Sequence, residues 1–157
     1  MDAQSEKLLA RIIRTARVAS LATLRDEAPQ VSMVAYITTD DFSAFHIHVS
    51  RLAQHTMDMQ KNKRVGLLIT ETDDGRDDPQ TLARVSIRGT AELIQNGEPG
   101  YTPLKERYLA RFPEAEQLFD LDDFNFWRIN PKGGRYVAGF AKAYNITPET
   151  LKKVSAR

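Results

Sequence analysis

The chain has 157 residues, 41% of them apolar and 27% charged, enough for one domain with a real core. Its 22 Lys and Arg against 21 Asp and Glu leave a net charge of +1, so nothing in the balance calls for a nucleic-acid or membrane-surface partner. There is no cysteine, which removes disulfides, thiolate metal sites and cysteine nucleophiles; no stretch reads as a secretory signal or a bilayer span, so a cytoplasmic protein is expected.

A single domain over residues 1–157 is expected to open with an amphipathic helix over 4–17, where Leu8, Leu9, Ile12, Ile13 and Ala16 recur at helical spacing. The period then changes. Val18 to Leu24, Gln30 to Thr38 and Ala44 to Ser50 read as strands joined by the short polar turns "RDEAP" and "TDDFS". "LAQHTMDMQKN" reads as a short helix with Leu52, His55, Thr56 and Met59 on one face. Arg64 to Glu71 is a strand and "TDDGRDDPQ" a solvated loop, its acids lacking the spacing of a Ca²⁺ loop. Ala83 to Ile94 alternates strictly, with Val85, Ile87 and Gly89 on one face and Arg84, Ser86 and Arg88 on the other. Gly89 there signals a bulge or a close backbone approach. Thr102-Pro103 is expected to start a helix in which Leu104, Tyr108 and Phe112 pack inward. "DFNFWRI" and "RYVAGFAKAY" read as two strands turned by "NPKGG", and Thr147-Pro148 starts a last helix over 147–155. "DLDDF" between helix and strand reads as a loop, not as an acid/base pair. About seven strands joined mostly by short turns predict a mainly β, antiparallel barrel.

All three histidines fall in "HIHVSRLAQHT". Three neutral imidazoles can hold Zn²⁺, but His55 lies beyond the strand that carries His46 and His48, and no carboxylate within the segment completes an outer shell. No metal is therefore assigned, and His46 and His48 read as partly exposed strand residues. A phosphate is the better match to the strand-to-helix junction. A helix start presents free N–H groups, Ser50 a hydroxyl and Arg51 a fork of donors, with His55 and Thr56 one turn on. The same residues also read as a helix cap, a solvated arginine and a packed histidine, and local mechanics leaves the two readings even.

The combination "SLATL…PQVSMVAYI…FHIHVSRLAQHTMDMQKNKRVGLLI…ARVSIRGTAELI", followed by "DFNFWRI…GGRYVAGFAKAY", resembles the pyridoxamine 5′-phosphate oxidase-like family of FMN-binding split β-barrels, in particular the subgroup that includes haem-utilisation proteins. The resemblance runs from about Ala19 to Tyr144. It implies a six-stranded antiparallel split barrel with small helices, working as a homodimer with FMN at the subunit interface. It further implies that Ser32, Met33 and Val34 lie beside the flavin, that Ser50, Arg51, Gln54, His55 and Thr56 hold its phosphate, and that Arg84 contacts the ring. Two departures stand out. The oxidases carry an Arg-Lys pair where this chain has Gln54 and His55, and their substrate-binding motif is absent around Trp127 and Arg135, which read as a core or interface residue and a solvated hairpin charge. The haem-degrading relatives carry a further C-terminal domain, whereas this chain ends at Arg157. The expectation is an FMN-binding flavoprotein, an oxidoreductase acting on an unknown small molecule but not pyridoxamine phosphate oxidase proper, with no catalytic residue named. The alternatives are a non-catalytic FMN or haem carrier and a split-barrel dimer whose cofactor site has decayed.

Overall fold

The computed structural model describes residues 1–157. Helix α1 (Ala3–Thr15) is capped by Asp2, which accepts a hydrogen bond from the Ser5 amide, and it buries Leu9, Ile12 and Ile13 as its spacing predicts. Eight strands then form one antiparallel sheet: β1 (Val18–Arg25), β2 (Ala28–Ala35), β3 (Ile37–Thr38), β4 (Phe45–Ser50), β5 (Arg64–Thr70), β6 (Arg84–Ile94), β7 (Phe124–Val137) and β8 (Ala143–Ile146). Helices α2 (Gln54–Lys61), α3 (Tyr101–Arg111) and α4 (Pro148–Ser155) and two 3-10 segments, Pro79–Thr81 and Pro113–Asp120, complete the chain. None of the helices is long and apolar enough to cross a membrane.

The strand order is β2-β1-β5-β6-β7-β4-β3, with β8 beside β7. β2 and β3 are thus the opposite ends of this path, yet only Tyr36 separates them in the chain. A sheet whose ends are joined by one residue must curl back on itself, and a curled half-barrel results. Tyr36 is fully buried, and its hydroxyl donates to the Ile13 carbonyl (2.7 Å), tying the join to α1. The segment Gln30 to Thr38, expected as one strand, is therefore two. The pattern misses the break because Tyr36 and Ile37 are apolar and fit a strand as well as they fit this corner.

The turn assigned to "NPKGG" is not a turn. β7 continues through it with a bulge at Lys132, beside Gly133 at positive φ, and the chain reverses only afterwards, between Val137 and Ala143, where Gly139 and Ala141 have positive φ. The glycines answer to packing. A Cβ on Gly134 would collide with the Ser86 carbonyl oxygen, and one on Gly89 would lie 2.5 Å from that of Asn130. β6 and β7 approach closely along a ladder that shifts register between Arg88 and Gly89, as the mid-strand glycine foretells. α3 starts two residues earlier than expected, capped by Gly100 in a left-handed conformation and not by Thr102. Leu104, Tyr108 and Phe112 do pack inward, with Ile37, Tyr101 and Phe126. His46 and His48, expected partly exposed, are buried, because α3 and the segment after it cover their strand. The His48 ring stacks on Phe119 at 4.0 Å between centroids.

Helix α2 crosses β1 through one buried carboxylate. Asp58 accepts from the Thr23 hydroxyl (2.9 Å), Arg25 Nε (3.1 Å) and Gln54 Nε2 (3.3 Å). Arg25 foremost, then Thr23 and Gln54, hold its pKa below the ordinary carboxylate value against the opposing effect of burial.

Two outcomes follow for stability, both read by urea denaturation. Gly134→Ala forces the β6–β7 backbones apart and should cost about 2–3 kcal/mol; a variant within experimental error of wild type would refute the close-approach reading. Asp58→Asn should cost about 1–2 kcal/mol at neutral pH. Because the folded pKa is depressed, the stabilisation is complete above the unfolded value near ~4 and is lost as pH falls through the folded one. The gap between wild type and Asp58→Asn should therefore close in acid, and a gap independent of pH would exclude the carboxylate as its source.

Candidate functional site

Where β2 passes under the start of α2, the Ser32 hydroxyl and His55 Nδ1 lie 3.2 Å apart. α2 has no side-chain cap at Ala53, and the Gln54 and His55 amides open the helix without backbone acceptors. Nε2 of His55 is buried and has no protein partner. Burial lowers the His55 pKa, opposed by the nearby Asp58, so the imidazole is neutral at physiological pH. This corner offers an anion one hydroxyl, two amides and a neutral imidazole, with no formal positive charge among them.

The other residues singled out in the sequence divide among different places. Gln54 shares the corner, but its side chain is committed to Asp58. Val34 faces the interior and Met33 the exterior, 71% exposed, as alternation along a strand requires. Ser50 donates to Asp123 and accepts from the Leu52 amide; Leu52 itself precedes α2 and is exposed. Arg51 and Thr56 line a separate cavity with Trp127, on the other flank of α2. Arg84 donates to the carbonyls of Gln80 and Leu82 and lies three strands from β2, about 14 Å away at ordinary strand spacing. Burial, with smaller contributions from neighbouring cations, pushes both His46 and His48 down to about 4, and no group of three His, Cys, Asp or Glu side chains is placed to hold a metal ion.

The sequence reading misses a surface that appears only once the strands are in register. Met33, Ser20, Leu68 and Ser86 align across the outer face of the sheet, and Val31, Ala22, Gly66 and Arg88 form the adjacent row. Val18, Val31, Met33 and Leu68 are exposed apolar side chains on this face, separated only by small residues. Arg88 and Arg135 stand on its far side. The alternation in 84–89 hints at the arginines, but no single strand reveals the stripe. A cavity of about 540 Å³ lies beside Tyr36, lined by Arg14, Arg107 and Arg111. These arginines already serve backbone carbonyls, and Arg107 also pairs with Asp40.

The family model described as pyridoxamine 5′-phosphate oxidase matches residues 5–138. Among curated proteins, the chain is 37% identical over 125 residues to a chloroplastic non-canonical haem oxygenase of Arabidopsis thaliana, covering 80% of this chain but only 36% of the relative. It is 22% identical over 124 residues to the haem oxygenase HutZ of Vibrio cholerae, covering 78% of this chain and 69% of that protein. The solved haem-binding protein of Mycobacterium smegmatis superposes with a TM-score of 0.81 at 25% identity, over 98% of this chain and 62% of the other. The chain thus spans about a third of its plant relative and under two thirds of the mycobacterial one. The half-barrel and the extent of the family match together make the chain a member of the pyridoxamine 5′-phosphate oxidase family.

Proposed function

We propose that the protein binds haem on the outer face of its sheet and works as a homodimer. The observation that carries this reading is the apolar stripe of Val18, Val31, Met33 and Leu68, bounded by Arg88 and Arg135. Haem is a flat apolar ring with two carboxylates on one edge. The stripe matches the ring, and the guanidinium forks match the carboxylates. The names of the plant, Vibrio and mycobacterial relatives support the same cofactor. The residues present match the ring and its acids, and no histidine lies on this face to offer the iron an imidazole. When bound, haem supplies redox-active iron. The chain's own contribution is to shield one face of the ring and to orient its acids. An exposed stripe of this kind on an edge hairpin also fits a second copy of the sheet, which would seal the ring from water.

FMN is the second reading, favoured by the Ser32–His55 pair beneath the open end of α2. A phosphate there would meet the Gln54 and His55 amides and the Ser32 hydroxyl. Gln54 and His55 stand where the oxidases carry Arg and Lys, so the seat lacks their charge and should be weaker than theirs.

Separate titrations decide between the two. Haem should give a saturable Soret shift that Arg88→Glu weakens about tenfold, the loss of one charged contact; a Soret spectrum identical to free haem would overturn the first reading. FMN binding, if it carries the function instead, should quench flavin fluorescence in the wild type and lose that quenching in Ser32→Ala. For assembly, light scattering should report a dimer that Met33→Asp converts to monomer, and a dimer persisting in this variant would move the interface elsewhere.

A further inference from the structure

Met33 holds its side chain in solvent, 71% exposed, in the row that crosses the outer sheet face through Ser20, Leu68 and Ser86. Its neighbours on that face are short: Val31 and Ala35 along β2, and Ser20 and Ala22 on β1. A methionine side chain is unbranched, with three rotatable bonds and a polarizable sulfur near its tip. The thioether therefore stands above this floor, and it can lean over Ser20 toward the middle of the apolar stripe. The chain's other methionines lie elsewhere, Met57 and Met59 on α2 and Met1 ahead of α1. In the two rows the remaining polar side chains are the hydroxyls of Ser20 and Ser86 and the guanidinium of Arg88, which has no lone pair to give.

The geometry points to Met33 as an axial ligand of haem iron, through its Sδ. This role depends on haem binding at the sheet as proposed above, and it supplies the one contact missing there. The stripe meets the ring and the arginines meet its acids, but the face has no imidazole. A thioether is a soft donor that ligates haem iron and raises its reduction potential. Position allows the contact. Arg88 lies on β6, three strands from β2, about 14 Å away at ordinary strand spacing. A haem and its acid chains bridge that gap when the thioether leans inward and the arginine extends. Gly66, opposite Arg88, puts no side chain in the way. A purely apolar contact at this position would be served equally well by leucine, so an exchange of Met for Leu isolates the sulfur.

The full-length protein would be titrated with ferric haem and followed by absorption, magnetic circular dichroism and redox potentiometry. The wild type should show the Soret shift together with the weak far-red charge-transfer band of a thioether on ferric iron. Met33→Leu should keep the Soret shift, lose the far-red band and lower the midpoint potential. Met33→His should give an imidazole-type spectrum in place of the thioether one. Met57→Leu, on α2, should leave the band and the potential as in wild type. A wild type that binds haem without the far-red band overturns the role of Met33, as does a Met33→Leu protein with the band and potential unchanged; in both cases haem binding at the sheet stands. Absence of any Soret shift overturns haem binding itself, and the ligand with it.

Discussion

Everything in this fold hangs on a join of one residue. Tyr36 connects the two ends of the strand path, so the sheet cannot lie open, and its curvature is set by covalent continuity before any packing is considered. The side chain then serves a second purpose. It fills the space between the sheet and α1 and hands its hydroxyl to the Ile13 carbonyl, so the corner that bends the sheet also fixes the helix that plugs it. Tyr136 repeats the device from β7, donating to the Ser5 carbonyl at the other end of α1. Two buried phenols, each with its polar end satisfied, hold α1 at both ends.

Asp58 fixes α2. Through Thr23 and Arg25 it binds α2 to the hairpin whose second strand carries Ser32, and through Gln54 it stiffens the first turn of the helix. α2 consequently divides two territories. His55 turns toward β2, while Thr56 and Gln60 turn toward β7 and Trp127. A single short helix can serve two chemically different walls because successive residues point about 100° apart.

The sequence discloses this architecture unevenly. α1, the alternation of 84–89, the packed face of α3 and the Thr147 cap are all legible, because each depends on periodicity or on one local hydrogen bond. "NPKGG" misleads, because a glycine that admits a neighbouring backbone looks in sequence like one that turns the chain. The candidate site is legible only in part. Proximity along the chain groups Ser50 and Arg51 with His55, but α2 begins late, at Gln54, and the intervening bend sends the two groups to opposite flanks. Ser32 meets His55 across 23 positions, and the apolar stripe draws on three strands; both exist only after register is fixed.

The glycines of the β6–β7 seam bear on how the molecule reaches this state. Its eleven paired positions join segments far apart in sequence, the kind of contact that forms slowly and invites misalignment. A slip of one residue would turn every side chain to the wrong face and would also bring a side chain into a gap wide enough only for hydrogen. Hydrogen at Gly89 and Gly134 thus works as a register key, because only the native alignment brings hydrogen to both close approaches.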